Sequence, residues 1–216
     1  MLRPEPEPDS GLPAHERVYR ALRTRIMHGV LEPATSLTLR GIAADFAVSV
    51  TPAREAVRRL SAEGAVQLSN SGRVTTPILA NDRLEELASL RALLEPELAS
   101  RALPRAHLAL IERLQGINDT IDQMILSGDA AGYVRSNLEF HRTLYLRAQA
   151  PAILALTETV WLQLGPTMRW LYAKGNTPRA GENHRKILAA LRAGDEPGLR
   201  LAVRADVVQG LRLLAS

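Results

Sequence analysis

The stretch SVTPAREAVRRLSAEGAV, residues 49–66, restricts the fold more than any other part of the chain. Wound as a helix at ~100° per residue, it puts Ala53, Ala56, Val57 and Leu60 within one third of the circumference. Thr51, Arg54 and Arg58 gather on the opposite side. The apolar side must be core, and the other must meet solvent or a partner. Ser49 is a candidate N-cap, and Gly64 a natural stop.

The neighbouring residues complete a compact unit over residues 13–78. Residues 15–28 predict an amphipathic helix with Val18, Leu22 and Ile26 inward, closed by Gly29. Thr38 can cap a second, short helix, residues 39–46, whose Ile42, Ala43 and Phe46 face the core. The connection at Ala47-Val48 is tight. After the third helix, AVQLS-NSG-RVTTP reads as two short strands around a turn at Gly72. Three helices and a small β-hairpin make a winged helix-turn-helix, whose third helix enters the major groove of DNA. Charge runs the same way. Residues 13–78 hold nine arginines against five acidic residues, an excess of +4, whereas residues 79–216 hold 17 basic against 15 acidic ones, +2. Every basic residue of the first unit is arginine, whose planar fork suits phosphates and guanine edges.

LTLRGIAADFAVSVTPAREAVRRLSAEGAV closely resembles the N-terminal domain of the GntR family of bacterial transcription regulators. The resemblance implies DNA contacts by Arg40, Thr51 and Arg54, backbone contacts by Ser49 and Arg58, and a wing tip at Gly72. The family's usual arginine after the serine is replaced by Val50, so a contact made by relatives is missing.

From residue 79 onward the pattern is helical throughout, about six helices forming an all-α bundle. Pro96 and Gly165-Pro166 are expected bends. Asp82, Pro104 and Gly128 are expected at helix ends. The segments LRALLEPELA, NLEFHRTLY, ENHRKILAAL and AVRAD resemble, in order and spacing, the helical ligand-binding (FCD-type) domain of the FadR subfamily. That resemblance implies an effector-binding and dimerising half, often with a divalent metal that helps grip a carboxylate.

Asn137 and His141, four apart, share a helix face, and His184 and Asp206 lie on two later helices. The four form the candidate metal set. Imidazole and carboxylate donors suit Zn, Ni, Mn or Fe(II). Relatives commonly have Asp at position 137 and His at 206, so the carboxylate has in effect moved between helices. Arg91 stands where relatives direct an arginine towards an effector, but it could equally pair with Glu95 on the helix surface. His15, His28 and His107 read as surface or capping residues. Trp161, Trp170 and Tyr172 read as core more than as pocket lining.

The chain has no cysteine, which excludes disulfides and thiolate zinc sites. No apolar run approaches a membrane span. Residues 1–12, acidic and Pro-rich, read as a disordered tail rather than a signal peptide, so a cytoplasmic protein is expected. HExxH, GxSxG and P-loop motifs are absent, and no general base accompanies the metal set. The resulting expectation is a homodimeric, ligand-responsive regulator that reads an inverted repeat in double-stranded DNA and is released by a small organic acid. A metal-dependent helical-bundle enzyme, and a DNA-binding dimer without an effector, are the alternatives.

Overall fold

A computed structural model describes residues 11–173 and 180–212. The tail expected over residues 1–12 therefore lies, except for Gly11 and Leu12, outside the described residues, as does the side chain of Tyr172.

The first unit comprises α1 (Ala14–Met27), β1 (Ser36–Thr38), α2 (Leu39–Asp45), α3 (Val50–Ala62), β2 (Gln67–Leu68) and β3 (Arg73–Thr75). Val18, Leu22 and Ile26 of α1 meet Ile42 and Ala43 of α2 and Ala53, Val57 and Leu60 of α3 in one core. The hairpin is one strand larger than expected. β1 joins it, so the antiparallel sheet runs β1-β3-β2, with Leu37 opposite Val74 and Val74 opposite Leu68. Three residues are too few to show a two-residue alternation, which is why SLT was silent as sequence. Thr38 does cap α2, accepting from the Gly41 N–H at 3.0 Å. Ser49 sits at the N-cap of α3, but its side chain makes no capping bond. Ala47, at φ 51°, turns the chain between the two helices.

The second unit is α4 (Asn81–Ala102), α5 (Leu108–Ser127), α6 (Ala130–Tyr145), α7 (Pro151–Ala173), α8 (Ala180–Ala193) and α9 (Glu196–Arg212). α4 and α7 run through Pro96 and Pro166 without a break. Asp82 lies in the first turn of α4 and is not its cap, which is Ala80. α5 starts at Leu108 rather than Pro104; the His107 ring accepts from the Leu110 N–H as its cap. Gly128, at φ 70°, ends it.

The two units are docked. Gly165 of α7 lies against the last turn of α1, where a Cβ would come within 2.5 Å of the Met27 carbonyl oxygen. Arg169 donates to the carbonyls of Gly29 and Val30 just beyond α1, at 3.1 and 3.0 Å. Gln163 bridges the halves, donating to the Glu63 carbonyl and accepting from Arg83. Gly165 is thus a close-approach residue, needed because any side chain would hold α1 away.

Candidate DNA-reading face and buried metal site

Ala53, Ala56, Val57 and Leu60 are all at most 2% exposed, and that burial fixes the rotation of α3. Thr51, Arg54 and Arg58 are consequently exposed, as are Arg40 on α2 and Ser49 at the N-cap. Gly72 turns the wing at φ 82°, and its carbonyl accepts from the Leu39 N–H at 3.1 Å, tying the wing to the start of α2. The arginines of this unit divide by partner. Arg23 pairs with Glu63 and Glu158, and Arg59 with Glu16 and Glu63 while stacking on the Tyr19 ring. Arg40, Arg54, Arg58 and Arg73 form no ion pair among the described residues. A cation held by its own acids serves the fold; exposed cations without such partners are available to phosphates.

In the helical half, His141, His184 and Asp206 converge, their donor atoms all within 4.8 Å of one another and all buried. His141 Nε2 lies 3.0 Å from Asp206 Oδ2, and His184 Nε2 lies 3.4 Å from His141 Nε2. The other ring nitrogens are held from behind. The Tyr145 hydroxyl donates to Glu95 at 3.0 Å, so its oxygen is left to accept from His141 Nδ1 at 3.1 Å. Asn118 Oδ1 can only accept, and it lies 3.2 Å from His184 Nδ1. These partners, which assign the tautomers, turn both Nε2 lone pairs towards the centre. Two lone pairs and a carboxylate oxygen facing one another need a positive charge between them. A proton or a metal ion can supply it, and the two compete. The donor set fits Zn, Ni, Mn or Fe(II).

Burial pushes the His184 imidazole down to about 4, so near neutral pH it is a ready ligand. Burial alone would raise Asp206, but the neighbouring His184, His141 and Arg91 outweigh it and hold its carboxyl below the ordinary value. Burial together with Glu95 raises the Tyr145 phenol well above the ordinary value, keeping it a neutral donor.

Arg91 does pair with Glu95, but in the interior rather than on the surface: the residues are 5% and 0% exposed. Arg91 Nε lies 2.5 Å from Glu95 Oε1, and Nη2 3.3 Å from Oε2. Trp161 Nε1 donates to the same Oε1 at 2.9 Å. Burial works against the guanidinium charge, and Glu95 more than offsets it, raising Arg91 further. Arg91 also lines a cavity of about 20 Å³ with Asn137, Trp161, Met168 and Met27. That is room for about one water. Asn137, 8% exposed, makes no side-chain hydrogen bond among the described residues. It lies one turn before His141 on α6 and lines this cavity.

Glu95, Tyr145 and Asn118 escaped the sequence reading. Tyr145 continues the 137–141 ladder by another four residues and could have been found that way. Glu95 was visible only as a partner for Arg91, and Asn118 carries no local signal.

Residues 86–208 match the model of the FCD domain, and residues 14–75 that of the bacterial regulatory proteins of the gntR family. The HTH-type transcriptional regulator McbR of Escherichia coli (strain K12) is 26% identical, over 92% of this chain and 91% of its own. The gluconate operon transcriptional repressor of Bacillus subtilis (strain 168) is 31% identical over 70% of this chain, which spans 60% of that protein. The solved structure of E. coli McbR/YncC superposes with a TM-score of 0.86 at 25% identity, over 94% of this chain and 98% of that one. A putative GntR regulator from Rhodococcus sp. RHA1 has the same fold, with a TM-score of 0.76 at 21% identity over the same shares. With an arginine-bearing helix exposed on one unit and a helical bundle as the other, the chain belongs to the GntR family of bacterial regulatory proteins, as an FCD-domain member: a ligand-responsive DNA-binding transcription regulator and not an enzyme.

Proposed function

We propose that the protein is a homodimeric cytoplasmic repressor that leaves its operator when a small organic acid binds. Arg40, Thr51 and Arg54 meet base edges, Ser49 and Arg58 meet phosphates, and the wing at Gly72 braces the backbone. One recognition helix reads too few base pairs for genomic specificity, so two copies read an inverted repeat of double-stranded DNA. Exposed Leu93 on α4 and Leu201 on α9, 69% and 70% accessible, offer apolar surface for the second copy. No helix among the described residues is long and apolar enough to cross a membrane.

His141, His184 and Asp206 would hold a divalent metal, with the Asn137 amide oxygen as a fourth, weaker donor. When bound, the metal supplies an electrophilic site for a carboxylate oxygen, and Arg91 faces the acid from α4. The observation that carries this reading is the shared wall: one cavity is lined by Arg91 and Asn137 from the bundle, the latter one turn before His141, and by Met27 from the DNA-binding unit. An occupant therefore touches both units, as a ligand must if it is to favour one arrangement over another.

The test is elemental analysis of protein purified without chelator, alongside His141→Ala. Metal is expected in the parent protein or after titration with Zn, Ni, Mn or Fe(II), and absent from the variant. No uptake by the parent would overturn the metal part.

A further inference from the structure

The buried charges and the lining of the cavity together narrow the acid's chemistry, on the reading that it binds beside a metal. Among the described residues, and apart from tyrosine phenols, which are neutral near pH 7, the buried side chains that can carry charge are Arg91, Glu95, His141, His184 and Asp206. Arg91 and Glu95 neutralise one another through two hydrogen bonds. His141 and His184 must be neutral to act as ligands. Asp206 then leaves one negative charge in the interior, and a divalent ion changes it to one positive charge. A single monoanion brings the interior to neutrality. A dianion would leave an unbalanced buried charge, which is costly away from water.

The lining limits the rest of the molecule. Among the described residues, Arg91 and Asn137 alone offer polar side-chain groups to the cavity, because the Trp161 N–H is already given to Glu95. Arg91 has five N–H donors, of which two go to Glu95. The Asn137 amide makes no side-chain hydrogen bond among the described residues. These groups suffice for one carboxylate. The remaining wall, among the described residues, is apolar: Met27, Val134, Leu138 and Met168 beside Trp161. A hydroxylated tail would strand its oxygens there without partners. The present space holds about one water, so a tail must displace side chains, and Met27 and Met168 are unbranched and flexible enough to swing aside. Met27 belongs to α1, so the tail presses on the DNA-binding unit.

We infer that this site takes a monocarboxylate with an apolar, unhydroxylated tail, its head on Arg91 and Asn137 beside the metal and its tail against Met27 and Met168.

Calorimetric titration of the full chain, first loaded with the divalent metal it takes up, tests this with hexanoate, succinate and gluconate as probes. Hexanoate is expected to bind at least about tenfold more tightly than either of the others, and at least about tenfold more tightly than to chelator-stripped protein. Asn137→Asp is expected to retain metal more tightly yet bind hexanoate more weakly, because the added negative charge replaces the one the acid supplies. Succinate or gluconate binding as tightly as hexanoate would overturn the inference, as would hexanoate binding that ignores the metal or is unchanged in Asn137→Asp. If metal is taken up and hexanoate is not preferred, the inference alone fails. If no metal is taken up, the metal reading fails and the charge balance falls with it.

Discussion

Arg54 occupies a position that α3 cannot bury, since turning it inward would expose Ala53, Val57 and Leu60. Replacing it with alanine should leave unfolding unchanged and weaken binding to a DNA fragment selected from the source genome by ~1–3 kcal/mol per half-site. Unaltered affinity in a folded Arg54→Ala protein would remove α3 as the reading helix. Behind His141, His184 and Asp206, Tyr145→Phe deletes the oxygen that accepts from His141 while keeping the ring. Metal affinity should fall roughly 10–100-fold with the fold intact, read by competition with a chromogenic chelator. Wild-type affinity would show that packing alone orients the imidazole. His184 sets a pH dependence whose sign follows from its burial. The unfolded imidazole takes a proton near ~6.5, and the folded one at about 4. Between those values the unfolded chain holds more protons, so the metal-free protein is fully stabilised above the first and loses stability as pH falls towards the second. The loss reaches roughly 3 kcal/mol. Urea unfolding of chelator-treated protein across this range should show a shallower decline in His184→Gln, and equal declines would contradict the assignment.

At the scale of elements, helices with strong periodicity were legible, and joints were not. α3 announced itself because its apolar residues recur at helical spacing between a serine and a glycine. β1 did not, because Ser36–Thr38 becomes a strand only through its pairing with β3. Asn137 and His141 could be paired by their spacing, but His184 and Asp206 joined them only through the resemblance to the FCD-type domain. The hub at Glu95 could be read from neither, since its four donor contacts come from residues 91, 145 and 161, brought together only by packing α4, α6 and α7. Gly165 is the plainest case. Beside Pro166 it read as a bend, yet α7 continues through it, and its lack of a side chain serves the contact with α1. Gly165→Ala should press a methyl group into the carbonyls of Ile26 and Met27 and cost ~1–3 kcal/mol. Hydrogen exchange should then show the last turn of α1 losing protection while α5 and α8 keep theirs. Unchanged protection at residues 26–30 would mean the joint gives way without consequence.

For the whole molecule, the arrangement joins a DNA-reading unit and a ligand-binding bundle across one packed seam, with the cavity set against it. Arg23–Glu158, Gln163–Glu63 and Arg169–Gly29 hold the seam from both sides. Such a seam is a two-position element only if an occupant of the cavity changes how α1 sits on α7, and a ligand can shift that balance only by its difference in affinity for the two positions. The most direct measurement is the Kd of the metal-loaded protein for its selected DNA fragment, by fluorescence anisotropy, without and with hexanoate at a concentration that saturates the calorimetric titration. The coupling predicts DNA binding weakened about 5–150-fold, the usual span of linkage between two sites. An unchanged Kd at saturation would contradict the claim that the bundle's ligand governs the DNA-binding unit.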